Sequence, residues 1–259
     1  MIAVFPIYWM VITAFKQDAD LYRMDVAPFW FHLPPTLAHF TRLFTQTYFV
    51  SQLLNTVQLA ACVVTITMVM AVPAGYALAR LRLPGAEHLG IAIFLTYLVP
   101  PIFLFIPLAR VVGVLGLFDS WWALVVVYPT FTIPFCTWKM MGYFKTVPIE
   151  LEEAAWVDGC SRRGAIWHVV LPVSRPGLLI SAMFAFSLSM QEFFYAVVYV
   201  APRSDMVVTA GLVTALIRGD IFYWGSLMAA GLVVGLPIAI LYALVLDEFI
   251  QGLTGIGAR

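Results

Sequence analysis

The sequence has few charged residues and little cysteine, and both shortages restrict what the chain can be. Only 11% of its 259 residues are charged, whereas soluble domains carry about 25%. Its fourteen acidic and fourteen basic residues balance, so the basic surface that nucleic-acid binding requires is missing. Cys62, Cys136 and Cys160 lie far apart, two of them in apolar runs. They predict neither a disulfide framework nor a metal site.

Motifs for nucleotide binding and catalysis are also absent. The sequence contains no G-x-x-x-x-G-K-[ST] motif for ATP phosphates and no G-x-S-x-G nucleophile motif. His32, His39, His88 and His168 are scattered and lack metal-ligand spacing. We therefore predict no catalytic residue, no metal site and no cofactor bound by this chain itself.

Apolar residues are abundant and make up 63% of the chain. A bilayer core about 30 Å thick requires about 20 apolar residues in a helix, because backbone in lipid must satisfy its own hydrogen bonds. The sequence predicts an all-α, polytopic membrane bundle of six transmembrane helices, forming one transmembrane domain over residues 1–259. The predicted helices are Met1–Phe15, Ser51–Ala79, Leu89–Arg110, Ala123–Tyr143, Gly177–Val200 and Ser226–Leu246.

The first predicted helix is short, because its 15 residues span only about 22 Å, and we expect the natural helix to begin upstream of Met1. Six helices place both termini on one side of the membrane. Eight Lys and Arg residues lie on that side and six on the other, which slightly favours cytoplasmic termini. The eight are Arg80, Arg82, Lys139, Lys145, Arg162, Arg163, Arg175 and Arg259.

Prolines interrupt most of the predicted helices. Each proline removes a backbone donor and favours a kink. So many kinked helices are typical of bundles that rearrange around a transport path, with static packing as the alternative. The prolines are Pro73, Pro100, Pro101, Pro107, Pro129, Pro134 and Pro237.

The loop Thr146–Pro176 is the longest polar segment on the side of the termini, and its residues predict two short helices. Pro148 suits a first helical turn, and the three glutamates that follow lie near the positive end of the helix dipole. Asp158-Gly159 can end this helix, because glycine accepts a positive φ. Ser161 can cap a second helix, which Leu171-Pro172 is predicted to end.

The first of these helices has a small apolar face, formed by Leu151, Ala154 and Ala155 at positions i, i+3 and i+4. A helix that lies on lipid usually combines large apolar residues with a polar face rich in Lys and Arg. Here the apolar residues are small and the polar face carries glutamates, which favours docking of another protein.

The same loop resembles a known family. Glu153-Ala154-Ala155-x-x-Asp158-Gly159, followed after nine residues by Val169-Val170-Leu171-Pro172, is similar to the EAA motif of membrane subunits of binding-protein-dependent ABC importers. The usual motif ends in I-x-L-P, and Val169 replaces its isoleucine. Phe5–Trp9, Pro28–Phe44 and Gly252–Gly255 also resemble segments of carbohydrate permeases of the maltose type, smaller subunit.

This resemblance implies a six-helix permease of the bacterial inner membrane, with cytoplasmic termini and a cytoplasmic EAA loop. The loop would dock on a separate ATPase, with Glu153 as ion-pair partner, Ala154 and Ala155 as contact face and Gly159 as the turn between the two helices. Asp158 belongs to the same coupling motif. No role is carried over to Glu150 or Glu152, which lie outside the motif.

The resemblance also implies the partners: a second permease subunit in a heterodimer, an ATPase dimer that binds ATP and Mg, and an extracytoplasmic solute-binding protein. The substrate would be a carbohydrate or polyol. A permease for polyamines or amino acids is one alternative. A membrane enzyme with a metal on Glu150, Glu152, Glu153 and Asp158 is another, although Glu152, Glu153 and Asp158 project in different directions on a helix.

Four polar residues inside the predicted helices are candidates for the translocation pathway. Glu192 lies within the fifth predicted helix, and charges inside membranes usually face a cavity or a partner. Met190-Gln191-Glu192-Phe193 keeps two residues of the family's W-N-[ED]-F sequence. Asn55 and Gln58 share one helix face at i, i+3. Hydrogen bonding between helices is the alternative role for all four.

The external segment Ala201–Gly225 is longer than a simple turn and contains an apolar stretch, Val207–Ile217, too short to span a membrane. In the permeases that the chain resembles, this segment reaches toward the solute-binding protein, and we expect the same here. The alternative is a re-entrant segment packed on the bundle.

Overall fold

In the computed structural model, described over residues 4–23, 25, 27–81 and 83–254 with side chains to Val245, helices dominate. The helices of the first half are α1 (Phe5–Phe15), α2 (Asp18–Leu21), α3 (Ala38–Gln46), α4 (Phe49–Arg80), α5 (Ala86–Tyr97), α6 (Pro101–Val114), α7 (Trp122–Val127) and α8 (Pro129–Thr146). The start of the first predicted helix at Met1, Arg82, and the tail residues from Gly255 to Arg259 lie outside the described residues.

The second half begins with the loop that the sequence singled out and ends in a long helix. Its helices are α9 (Glu150–Val157), α10 (Arg162–Ala165), a π-helical turn (Ile166–Val170), α11 (Leu171–Val173), α12 (Arg175–Gln191), α13 (Phe194–Tyr199), α14 (Val208–Leu216) and α15 (Trp224–Thr254). Between α14 and α15, Ile217–Arg218 (β1) pairs antiparallel with Ile221–Phe222 (β2).

Two of these helices are each long and apolar enough to cross a membrane: α4 and the Trp224–Val245 part of α15. Two bent pairs of helices raise the number of candidate spans among the described residues to as many as four, and α1 is apolar but has only 11 residues. The mostly helical membrane architecture predicted from the sequence is therefore confirmed. The count of six helices stays a prediction.

The predicted span Leu89–Arg110 is not one helix. α5 ends at Tyr97, α6 begins at Pro101, and the two axes are bent by 92°. Proline has no N–H to donate and forces the residue before it out of the α region, and Pro100 itself has an extended ψ of 132°. The consecutive prolines thus end the helix, and the interruption expected at these prolines is present.

The predicted span Gly177–Val200 is also interrupted. α12 begins at Arg175 after a bend of 75° and ends at Gln191, because Glu192 leaves the helix with a ψ of 131°. No proline or glycine marks this break. Glu192 therefore lies at a helix end and not inside a continuous helix, which corrects the prediction.

The described chain forms two compact units, divided within α4 between Thr56 and Val57 and again between Glu192 and Phe193. The first unit contains the chain up to Thr56 and Phe193–Leu244, and its buried core includes Leu43, Phe49 and Val208. The second contains Val57–Glu192 and the chain from Val245. The single transmembrane domain stays a prediction.

The core of the second unit joins the C-terminal part of α4 to α8 and the π-helical turn. Met140, Phe144 and Val170 are fully buried there, with Tyr76 packed against them. Gly75 permits the approach of α4 to α8, because a Cβ at this position would lie 2.7 Å from Met140 Cβ and 2.9 Å from the Met141 nitrogen. This packing carries the loop described next.

Candidate functional site

The loop predicted to couple the chain to another protein contains the two helical segments expected from its sequence. α9 covers Glu150–Val157, and its C-terminal cap is Asp158. Gly159 follows with a φ of +89°, in the left-handed region that glycine enters without the steric cost of a Cβ. The sequence prediction of a glycine turn after Asp158 is confirmed.

Ser161 begins the second helical segment as predicted. Its Oγ accepts a hydrogen bond of 3.1 Å from the Gly164 backbone N–H, which satisfies one free donor of the first turn. The segment does not end at Leu171-Pro172, and this expectation is wrong. The Leu171 N–H donates to the Ile166 carbonyl in a π-type turn, and α11 continues through Pro172 to Val173.

The residues of the predicted coupling motif divide between solvent and the interior. Glu153, Ala154, Asp158 and Gly159 are exposed, whereas Ala155 is only 7% exposed. The apolar face expected from Leu151, Ala154 and Ala155 is therefore split, because Ala155 turns into the chain's own fold. Glu153 and Ala154 remain available to another protein.

The buried face of α9 contains a charged residue to which the sequence assigned no role. Glu152 is 1% exposed. Its Oε1 lies 2.8 Å from Arg80 Nε at the end of α4, and its Oε2 accepts a 2.8 Å hydrogen bond from the Tyr76 hydroxyl. Sequence reasoning missed this residue, although Glu152 and Ala155 are spaced i, i+3 and therefore share a helix face.

The turn between the two helical segments carries one further contact. The Arg162 guanidinium lies 5.5 Å from the centre of the Trp156 ring, which is within the range of a cation–π interaction. Since Trp156 belongs to α9 and Arg162 to α10, this contact links the two short helices across Gly159.

The acids of this loop are not arranged as metal ligands. Glu152 is buried against Arg80, whereas Glu150, Glu153 and Asp158 are exposed. Among the described residues, no group of three His, Cys, Asp or Glu side chains has the geometry of a metal site.

Two of the candidate pathway residues lie at the break after α12. Glu192 is half-buried, and its Oε2 accepts a 2.7 Å hydrogen bond from the hydroxyl of Tyr128, which is fully buried. Gln191, the last residue of α12, is exposed. Hydrogen bonding to Tyr128 thus holds the acid at this helix end.

Asn55 lies elsewhere, in the first unit, where it holds part of the external segment. Its Nδ2 donates to the Ser204 carbonyl at 2.7 Å and to the Met206 carbonyl at 3.2 Å. Next to it in sequence, Thr56 Oγ1 accepts a 2.8 Å hydrogen bond from the Val208 N–H at the start of α14. Gln58 lies three residues further along the same helix, α4, and is exposed.

The apolar stretch Val207–Ile217 of the external segment forms α14, and most of its first turn is buried: Val207 and Val208 are each 1% exposed. Its apolar side chains pack into the core of the first unit, as the alternative of a packed segment expects, and contact of the external segment with a solute-binding protein stays a prediction. The segment is exposed at its start, over Ala201–Ser204, and in the hairpin that follows α14, with Arg218, Gly219 and Asp220 at its tip.

Residues 71–254 match the family described as binding-protein-dependent transport system inner membrane component. This region contains α8 and α12 as well as the whole loop between them.

Relatives match over nearly the full length. The sulfoquinovosyl glycerol transport system permease protein SmoH of Agrobacterium fabrum is 31% identical over 98% of this chain and 88% of its own. The diacetylchitobiose uptake system permease protein DasC of Streptomyces coelicolor is 31% identical over 97% and 90%. The trehalose/maltose transport system permease protein MalG of Thermococcus litoralis is 28% identical over 98% and 91%.

The fold also matches a solved structure, that of a bacterial ABC transporter involved in the import of the acidic polysaccharide alginate. The TM-score is 0.80 at 20% identity, covering 95% of this chain and 91% of that one. With the family match over residues 71–254 and relatives that are transport permeases, the chain belongs to the inner membrane components of binding-protein-dependent transport systems and is a transport subunit, not an enzyme.

Proposed function

We propose that the chain is a permease subunit of an ABC importer that carries a carbohydrate or polyol across the cytoplasmic membrane. Relatives named for sulfoquinovosyl glycerol, diacetylchitobiose and trehalose/maltose transport support this substrate class. A permease for polyamines or amino acids is the alternative, and the names of these three relatives speak against it.

A separate ATPase dimer, which binds ATP and Mg, drives this transport through α9. The single observation that carries this assignment is the outward face of α9, where Glu153 and Ala154 are exposed while Glu152 and Ala155 are buried. Glu153 pairs with a cation of the ATPase, Ala154 allows close approach, and Asp158-Gly159 forms the turn beside this contact. Ala155 supports the helix from within.

Docking moves the permease only if the states of the ATPase differ in their contact free energy with the loop, because a ligand that binds both states equally shifts nothing. ATP binding closes the ATPase dimer, and the loop transmits this change to helices broken at Pro100 and at Glu192. The bundle then alternates between inward-open and outward-open states.

The remaining features of the importer follow from the same assignment. The chain spans the membrane six times with both termini in the cytoplasm, and the bent pair α5–α6 is one broken span. A second permease completes a heterodimeric channel. A solute-binding protein docks outside, where the hairpin with Arg218 and Asp220 at its tip is exposed for contact.

The pathway role differs among the four candidate residues. Gln191 and Glu192 lie at the break after α12 and line the path. Asn55 also serves to hold the external segment through its two backbone contacts. Gln58 is exposed on α4 and faces either the path or the second permease.

Cysteine cross-linking tests the docking assignment. Because native Cys160 is exposed next to the turn, the experiment starts from a Cys160→Ser background. Ala154→Cys is then expected to capture the ATPase in native membranes through a short bifunctional reagent, whereas the matched control Ala155→Cys, 7% exposed, is not. If Ala154→Cys captures no ATPase, the assignment fails.

The substrate class has its own test. Vesicles that contain the whole importer are offered radiolabelled trehalose, maltose, diacetylchitobiose, spermidine and glutamine in separate samples. ATP-dependent accumulation of a sugar supports the proposal. Accumulation of spermidine or glutamine alone would assign the chain to the other solute class.

A further inference from the structure

Arg80 and Glu152 form a buried ion pair between a membrane helix and the docking helix. Arg80 is 11% exposed at the last residue of α4, and Glu152 is 1% exposed in the first turn of α9. Their Nε and Oε1 atoms are 2.8 Å apart, although neither has a hydrogen-bond partner of good geometry. The two side chains therefore attract each other as opposite charges, and this Coulomb attraction is strong because little water enters the site.

Two further contacts make this pair a junction of three chain segments. The Arg80 guanidinium also donates to the Val147 carbonyl, which lies between α8 and α9. Tyr76 lies one turn before Arg80 on α4. Its hydroxyl donates to the second carboxylate oxygen of Glu152. α4, the end of α8 and α9 thus meet at two side chains of opposite charge.

The position of Glu152 relates this junction to docking. Glu152 and Glu153 are consecutive, so their side chains point about 100° apart around the helix. Glu152 is held inside by Arg80, while Glu153 is exposed. A partner that displaces α9 through its exposed face would therefore also displace Glu152, which contacts Arg80 on the buried face.

Stability alone is a weak explanation for such a pair, because well-packed apolar residues often stabilise a fold as much as a buried ion pair or more. The apolar core beside it, with Met140, Phe144 and Val170, already packs Tyr76 and the inner part of α4. What the pair adds is a direct link from α9 to the end of α4.

We propose that Arg80 and Glu152 are positioning residues that make α9 and the inner end of α4 move together when the ATPase changes state. The inference rests on the proposed docking of α9 to an ATPase. Coupling of this kind requires an element with two arrangements that both sites bias, and α4 contains Pro73 one turn before Tyr76, a place where the helix can bend.

Spin-label distances in the whole importer test this directly. One label is placed at Leu81→Cys, 45% exposed just after α4, and one at Glu150→Cys on the exposed side of α9, both in a Cys160→Ser background. In the complete complex with wild-type Arg80 and Glu152, the distance is expected to be the same without nucleotide and with ATP plus vanadate.

The decisive variant is the double change Arg80→Gln/Glu152→Gln, which removes both charges and leaves neither partner unpaired. We expect a nucleotide-dependent change of about 2 Å or more in the label distance, the scale of helix shifts in switching proteins. A merely structural role predicts no nucleotide dependence. Glu87→Gln is the control, because it breaks an exposed ion pair with Lys145 in the same unit.

A distance that stays independent of nucleotide in the double variant would overturn the inference. If that variant cannot be recovered from membranes, Glu152→Gln alone, which removes the ion pair and keeps an amide oxygen to accept from Tyr76, decides in the same way. The amount of ATPase that copurifies separates this inference from the function on which it rests. Normal ATPase content with an unchanged distance rejects the inference alone, whereas no ATPase bound to the wild-type chain rejects both.

Discussion

Glu152 and Glu153 are consecutive glutamates on one short helix, and their environments are opposite. Glu152 is 1% exposed and lies 2.8 Å from Arg80, whereas Glu153 is exposed. One carboxylate therefore anchors α9 to its own chain and the other is free to bind a partner. The predictions below separate these two roles from each other and from the packing that supports them.

Reversing the charge of the exposed glutamate should weaken docking without unfolding the chain. In Glu153→Lys, we expect normal membrane insertion and at least about fivefold less copurifying ATPase, because a favourable ion pair becomes a repulsion at a protein interface. Glu150→Lys is the matched control, since Glu150 is also exposed on α9 but lies outside the motif. Equal loss in both variants would show that only the net charge of the helix matters.

Substitutions of Gly159 should be tolerated better the less steric strain the new side chain causes at positive φ. Gly159 has a φ of +89° and open space around its Cα, so strain and not collision decides the outcome. Gly159→Val is expected to uncouple ATP hydrolysis from uptake, Gly159→Ala to act more weakly, and Gly159→Asn to retain most coupling, because Asn enters this region most easily among residues with a Cβ.

Uptake per ATP hydrolysed in proteoliposomes measures this series. Gly142→Ala provides the control, since Gly142 lies within α8 and a Cβ added there would likewise meet no neighbouring atom within 4 Å. Full uptake per ATP in Gly159→Val would contradict the role of the turn.

Loss of the Tyr128 hydroxyl should destabilise the break after α12. Tyr128→Phe removes the 2.7 Å hydrogen bond to Glu192, and a hydrogen bond to a charged group contributes about 1.5–3 kcal/mol. We expect a lower unfolding temperature in detergent for Tyr128→Phe. Glu192→Gln keeps an acceptor for the hydroxyl and should unfold nearer to the wild-type temperature while transport falls, if Glu192 lines the path.

The external segment should loosen when its amide anchor is removed. Asn55→Ala deletes the hydrogen bonds to the Ser204 and Met206 carbonyls, each worth about 0.5–1.5 kcal/mol net. Hydrogen exchange of residues 203–208 is expected to accelerate. Gln58→Ala, a change at an exposed position three residues further on, should leave exchange in this segment as in the wild type.

The close approach of α4 and α8 should depend on a glycine. Gly75→Ala would place a Cβ 2.7 Å from Met140 Cβ and 2.9 Å from the Met141 backbone nitrogen, and the backbone cannot move aside as a flexible side chain can. Forcing extra volume into packed helices typically costs about 1–3 kcal/mol. A lower unfolding temperature than that of Gly142→Ala is the expected result, and equal temperatures would contradict it.

Some structural features could be predicted from the sequence because residues close together in the chain determine them. α4 and α15 are long, apolar and uninterrupted by consecutive prolines, so hydropathy located them within a few residues. Gly159 and Ser161 formed the expected turn and cap, because a residue's own conformational freedom and a side chain three residues from its backbone partner decide such features.

Other features depend on the tertiary structure, because contacts between residues far apart in sequence determine them. No local signal ends α12 before Glu192, whose carboxylate binds Tyr128, 64 residues earlier. The division of α9 into a buried and an exposed face depends on Arg80, which lies on another helix. The sequence alone determined that the chain enters a membrane and carries a motif similar to the EAA motif. Only packing decided which of its adjacent glutamates and alanines turn outward, because burial is a property of the assembled helices and not of any one of them.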